Sequence, residues 1–216
     1  MARAATNKTP TRIQKQKTKA ILNAALEVFS QHGFRGATLD QIADAAGLSK
    51  PNLLYYFESK EAIHQMLLAR LLDTWLDPLR QLDPDGEPLR EIRAYMLRKL
   101  EMSRDFPRES RLFANEMLQG APRIGGEING QLKALVDEKA KVIRGWVQSG
   151  RLADVDPYHL IFSIWATTQH YADFEVQVRG ILGAAEDGHF HDAAHFLTQL
   201  YASGLTPPEG RSGRRS

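Results

Sequence analysis

The chain has no cysteine. That excludes disulfides and thiolate metal sites at once, and it fits a reducing compartment. Strand signals are nearly missing as well: there is no sustained alternation of apolar and polar residues, and no hairpin turn set between such runs. No window holds the roughly 18 consecutive apolar residues that a membrane span needs. No apolar stretch before Ile21 could serve as a signal-peptide core. We therefore expect a cytoplasmic protein with no membrane partner. Acidic residues are also missing from the start of the chain. Arg3, Lys8, Arg12, Lys15, Lys17 and Lys19 all precede the first acidic residue, Glu27, although the net charge of the whole is only +2. A local basic arm suits an end that touches nucleic-acid phosphates, because each contact releases counterions.

What the chain does have is helical periodicity, almost throughout, so the expected fold class is all-α. Ile21, Ala25, Val28 and Phe29 form one stripe of a helix, which Gly33 stops. Thr38 and Gln41 make a T-x-x-Q capping box that opens a second helix, ended by Gly47. Ser49 caps a short third helix with Lys50 and Pro51 in its first turn, and Ser59 caps a fourth that runs to about Leu82. After the turn at 83–88, further helices are expected at about 87–105, 108–119, 127–149, 156–174 and 187–203. The segment 206–216 has almost no apolar surface to bury, and disorder is expected there.

The stretch from Thr38 to Phe57 has the anatomy of a helix-turn-helix. Ile42 and Ala46 line its inner face with Leu39 and Ala43 beside them, Gly47 permits the tight turn, and Leu48 and Leu53 plug the other side. A helix of this size fits the major groove and presents its first residues to base edges. Chemistry assigns the roles. Thr38 and Ser49 offer hydroxyls and free helix-start N–H groups to phosphates. Lys50 can reach a phosphate or a guanine edge, Asn52 an adenine or a phosphate, and Pro51 a thymine methyl. Tyr55, Tyr56 and Lys60 are further phosphate candidates, with one of the tyrosines open to a core role. The alternative is an ordinary helical hairpin, against which stand the two capped helices, the basic arm and the Tyr-Tyr-Phe run.

The residues GFRGATLDQIADAAGLSKPNLLYYFESKEAI, within the stretch from Lys19 to Leu68, resemble the signature of the TetR family of transcriptional regulators. Leu54 is a departure, since many members carry tyrosine there. The resemblance implies an N-terminal three-helix DNA-binding domain, a C-terminal helical-bundle domain for ligand binding and dimerisation, and about nine helices in all. It implies a homodimer on palindromic double-stranded operator DNA, released when a small molecule fills the C-terminal pocket. We accordingly expect a basic flexible arm at 1–16, the DNA-binding domain at 17–63, the ligand-binding domain at 64–205 and a tail at 206–216. Further on, TWLDPL, KLEMSRDFPRESRLFANEMLQGAP and the long run ending SIWATTQHYADF look like TetR-type regulators of pyrimidine utilisation. That likeness implies uracil or thymine as effector, and no cofactor.

The residues of 156–174 are compatible with this. Ile161, Phe162, Trp165, Thr168, Gln169 and Ala172 share one face, and Leu160, Ser163, Ile164, Thr167, Tyr171 and Phe174 share another. One face is expected to line the interior. The other, through Leu160, Ser163, Ile164, Thr167 and Tyr171, is expected to meet a partner subunit. Trp165 with Gln169 one turn on sets a flat apolar surface beside an amide, which suits a planar ring carrying alternating carbonyl and N–H groups. Trp75, Phe113 and Thr168 are the other ligand candidates, and simple core packing is the competing reading for any single aromatic. His189, His191 and His195 suggest surface or interface positions more than a metal site, which no cysteine would complete, and His170 suits either the pocket or a dimer interface. Three other functions stay in view: the same fold answering to a dihydropyrimidine or a β-amino acid, an effector-independent DNA binder, and a hydrolase using Glu101, Glu116 and Asp137. The hydrolase lacks both the Glu-x-x-His pairs of a di-metal site and a nucleophile elbow, so no enzyme is expected.

Overall fold

The computed structural model describes residues 11–183 and 187–208, and among these every regular element is helical. The order is α1 (Arg12–Gly36), α2 (Leu39–Ala45), α3 (Lys50–Tyr56), α4 (Lys60–Arg80), α5 (Pro88–Asp105), α6 (Pro107–Leu118), α7 (Gly125–Glu127), a π-helical turn (Ile128–Leu132), α8 (Lys133–Gln148), α9 (Pro157–Asp173), α10 (Glu175–Leu182) and α11 (Gly188–Leu205). The segments α7, the π turn and α8 run on without a break. The chain divides into two compact units inside α4, between Leu68 and Ala69.

In the first unit, α1 begins with a capping box at Thr11, whose side chain accepts from the Gln14 backbone while the Gln14 side chain accepts from Thr11. Arg12 and Lys15 are therefore helical, not part of a flexible arm; residues 1–10 lie outside the described residues. Gly33 breaks the helix with φ +65°, a conformation side-chain-bearing residues rarely adopt. Phe29, Ile21, Ile42, Leu53, Ile63 and Leu68 are fully buried and make the core of this unit.

In the second unit, α9 is central and packs on α5, α6, α8 and α10, while α11 lies along α5. Asp156 caps α9 through the N–H groups of Tyr158 and His159, with Pro157 in the first turn. Leu79, Ile92, Met96, Ile124, Ile143 and Leu152 are buried around it. The helix α10 was not expected from the sequence. It starts directly at the Phe174 end of α9 without a side-chain cap and leaves Val176, Ile181 and Leu182 exposed, so it carries a weak apolar stripe. At the far end, Thr206 bonds to the Ala202 carbonyl of α11; residues 209–216, where disorder was expected, lie outside the described residues.

Candidate nucleic-acid interface and effector cavity

Local chemistry builds the helix-turn-helix. The Thr38 hydroxyl accepts from the Gln41 N–H at 3.2 Å, and the Gln41 side chain accepts from the Thr38 N–H at 2.9 Å. At the other end of α2, Gly47 takes φ +63°, which lets the Leu48 N–H reach back to the Ala43 carbonyl and the Gly47 N–H to that of Asp44. Ile42, Ala43, Leu53 and Phe57 are buried, and Leu39, Ala46 and Leu48 are half-buried. These contacts aim the start of α3 outward. Ser49, Lys50, Pro51 and Asn52 are all exposed there, as is Thr38, and Tyr55 keeps 75% of its surface open. Tyr56 is half-buried and meets the Tyr55 ring edge-on, so of the two it is the one with a packing role.

Two of the basic candidates are already engaged. Lys50 Nζ lies 2.9 Å from a carboxylate oxygen of Asp40 on α2, with both side chains about half exposed or more. Lys60 Nζ donates to the carbonyls of Phe34 and Ala37 at 2.7 and 2.8 Å and sits 4.6 Å from the Phe34 ring centroid.

The second unit contains a cavity of ≈ 560 Å³. Trp75 from α4, Phe113 from α6 and Trp165 and Gln169 from α9, four of the ligand candidates, line it. Trp75 and Phe113 stand with ring centroids 5.9 Å apart. Thr168 does not line it. It is fully buried, and its hydroxyl donates to the Ile164 carbonyl of its own helix at 2.7 Å. The π turn adds Ile128 and Leu132 to the wall.

Three groups in or behind the wall escaped the sequence reading. Lys99 of α5 is buried, and its ammonium sits 4.8 Å from the Trp75 ring centroid. Burial pulls its pKa down to about 8, against the attraction of Asp173, which pulls the other way. Asp173, at the end of α9, is shifted upward by burial, although the Ser110 hydroxyl donates to it at 2.6 Å. Tyr95 is buried behind the cavity, and its hydroxyl accepts from Trp165 Nε1 at 2.6 Å, which fixes that indole. Trp75 Nε1 is buried too, yet it has no hydrogen-bond partner among the described residues. A buried donor without an acceptor is costly, and Trp75 is at the same time a residue of the cavity wall.

The expected partner face of α9 needs correction. Leu160 and Ile164 are buried inside the chain itself, at 4% and 1% exposure, so they offer no surface to another subunit. Ser163, Thr167 and Tyr171 are half-buried. The Tyr201 hydroxyl of α11 bonds to Thr167 at 2.9 Å and to Ser163 at 3.2 Å, so these small residues join helices of one chain. Exposed apolar side chains on these two helices include Phe162 on α9 and Phe196 and Leu200 on α11. Phe162 had been placed with the interior residues; a helix packed on several sides leaves its exposed strip narrow, and periodicity did not locate it. His189 is buried against Phe190, His170 stacks on Phe174, and His191 and His195 are exposed. The three carboxylates of the hydrolase reading are dispersed: Glu116 pairs with Arg123, Glu101 with Arg98, and Asp137 with Lys133 and Tyr158.

Comparison with known proteins agrees with this anatomy. Residues 21–65 match the family model described as bacterial regulatory proteins, tetR family, and residues 68–208 match the model described as YcdC-like protein, C-terminal region. The chain belongs to the TetR family. It is a DNA-binding transcriptional regulator, similar to the HTH-type transcriptional regulator RutR of Escherichia coli (strain K12), with 52% identity over 193 residues that span 88% of this chain and 91% of the relative. Similarity to the HTH-type transcriptional activator FasR of Mycolicibacterium smegmatis is 43% but covers 61 residues, 28% of each chain. The fold is also that of SCO4942 from Streptomyces coelicolor, with a TM-score of 0.72 at 24% identity over 89% of this chain and 99% of that one. The helix-turn-helix and the cavity lie on separate units of the chain, each within one of the two matched regions.

Proposed function

We propose that this TetR-family chain is a cytoplasmic repressor of pyrimidine-utilisation genes, released from its operator by uracil, thymine or a related pyrimidine. The observation that carries the effector class is the cavity wall: Trp75, Phe113 and Trp165 supply flat apolar faces, and Lys99, Arg111, Asn115, Gln169 and Asp173 are the polar side chains among them. A pyrimidine dione presents two carbonyls around a ring N–H. The Lys99 ammonium suits a carbonyl, and the Gln169 amide or the Asp173 carboxyl suits the N–H. The similarity to RutR over most of both chains supports the same class. On DNA, two copies acting as a homodimer would set their α3 helices in successive major grooves about 34 Å apart on a palindromic operator. In that arrangement Lys50, Pro51, Asn52 and Tyr55 read or grip the duplex, with Thr38, Ser49 and Tyr56 beside them. The exposed Phe162, Phe196 and Leu200 supply the apolar surface for pairing. Effector binding would favour an arrangement that no longer matches the groove spacing.

The deciding experiment is a gel shift on the DNA upstream of the gene, with uracil, thymine, dihydrouracil and β-alanine as separate additions, supported by calorimetric titration of each. Release by uracil or thymine at micromolar to low millimolar concentration is expected. Unchanged binding with both, and release by β-alanine instead, would replace the pyrimidine reading with a zwitterion held between Lys99 and Asp173. No release by any of them, with no heat of binding, would favour a DNA binder without an effector.

A further inference from the structure

Lys60 stands at the first position of α4 with a chemistry that phosphate contact does not use. Its ammonium donates to the Phe34 and Ala37 carbonyls at 2.7 and 2.8 Å, and it lies over the Phe34 ring. Phe34 lies in the last turn of α1, after its kink, and Ala37 is the cap that follows it. That last turn begins at the Gly33 kink, with φ +65°, and closes through the Ala37 N–H, which donates to the Gly33 carbonyl at 3.1 Å. The residue after Ala37 is Thr38, the cap of α2. The Lys60 side chain is half-buried, unlike Lys50, which stands exposed at the start of α3.

The pattern is that of a clamp. The last turn of α1, beyond the Gly33 kink, and its cap Ala37 leave carbonyls without helical partners, and a cation on such oxygens is favourable both as a charge-assisted hydrogen bond and against the helix dipole. The Phe34 ring below the ammonium adds a cation–π contact. One side chain thus ties the start of α4 to the residues that immediately precede α2. The position of α2 sets that of α3, because Ile42 and Ala43 of α2 and Leu53 of α3 bury together.

We propose that Lys60 is a positioning residue for operator recognition: its two carbonyl bonds fix the entry to α2, and so the aim of α3, and it acts through that turn and not through a phosphate. The proposal rests on the helix-turn-helix reading of α2 and α3. It separates two roles that look alike in sequence. A lysine on phosphate contributes about equally to every DNA and appears in the salt dependence. A lysine that aims the recognition helix matters for the correct sequence and little for the rest.

The test uses the full-length protein and a duplex selected from a randomised pool by the wild type, with a scrambled duplex as the non-specific reference. Lys60→Met keeps the apolar stem and removes all three donors. Its affinity for the selected duplex is expected to fall about tenfold or more, the scale of two lost charge-assisted bonds. Affinity for the scrambled duplex should stay within about twofold, and the slope of log affinity against log salt should stay unchanged. Gly33→Ala is the second variant. A Cβ there meets nothing within 4 Å, so the substitution strains only the backbone of the same turn and leaves the lysine in place. It should reproduce the loss of operator affinity at unchanged slope. A slope smaller by about 0.9 in Lys60→Met, with both duplexes weakened alike, would make Lys60 a phosphate contact and overturn the proposal. Unchanged operator affinity in either variant would overturn it as well. A wild type that selects no sequence from the pool would instead refute the DNA reading on which it rests.

Discussion

Replacing Lys99 with methionine should stabilise the protein and destroy its response to effector. The lysine is buried, and its pKa is lowered from 10.5 to about 8, chiefly because burial penalises its charged form. At ~1.36 kcal/mol per pH unit, that gap is a cost of about 3 kcal/mol carried by the folded state at neutral pH. The contact with the Trp75 ring returns some of it, about 1–2 kcal/mol for a desolvated cation on an indole. Methionine keeps the volume and fills the site with an apolar chain, so the net gain is expected at about 1–2 kcal/mol. For a chain of this size that raises Tm by roughly 2–8 °C. The pH dependence follows from the sign of the shift. Below pH 8 the group is charged in both folded and unfolded chains, so the cost is constant. Between about 8 and 10.5 the folded protein gives up a proton that the unfolded chain keeps, so this lysine makes wild-type stability rise with pH. The advantage of Lys99→Met should therefore shrink across that window and vanish near its top. Thermal melts at pH 7, 8.5 and 10 measure it, with operator gel shifts to follow the response. A variant that melts below the wild type at pH 7, or an advantage that does not narrow at high pH, would refute the reasoning.

Leu53→Ala, at a fully buried position of α3, which packs on α2, should cost about 2–5 kcal/mol and abolish operator binding, read by denaturant unfolding and gel shift together. Glu116→Ala removes a carboxylate that receives both the Arg123 backbone N–H at 2.7 Å and its guanidinium at 2.9 Å. Because Glu116 is buried while Arg123 is partly open to solvent, we expect a loss near 3 kcal/mol, checked by chemical denaturation, with operator binding intact where the protein is folded. Gln169→Leu should leave stability and DNA affinity nearly unchanged and weaken effector affinity about tenfold, which titration calorimetry measures. Thr38→Ala breaks the capping box and should lower stability by about 1 kcal/mol, with a separate loss of operator affinity.

The helix-turn-helix was legible because its determinants are local. Thr38 with Gln41, Gly47 and Ser49 each satisfy backbone groups within a few residues of themselves, and that chemistry can be read without the rest of the fold. Half of the cavity was legible for a related reason: Trp165 and Gln169 lie one helical turn apart, and a wide aromatic beside an amide is unusual on a core face. Lys99, Asp173 and Tyr95 were not legible. Each looks like an ordinary surface or core residue until α4, α5 and α9 are assembled around it. Thr168 was misjudged because a hydroxyl in a helix can turn back to its own backbone, as it does to Ile164. Leu160 and Ile164 were misjudged because α9 has two apolar faces. Periodicity cannot tell whether the second meets another subunit or, as here, more of the same chain. Lys60 shows the converse: a basic residue beside a DNA-reading motif, spent on main-chain carbonyls.

The placement of the tryptophans has a practical consequence. Of the three in the chain, Trp75 and Trp165 line the cavity, and Trp146 lies apart with its indole N–H on the Pro84 carbonyl at 2.9 Å. The protein thus carries its own optical gauge. Light emitted by two indoles should change when a ring stacks between them, while the third supplies a steady background, so occupancy can be followed without any label.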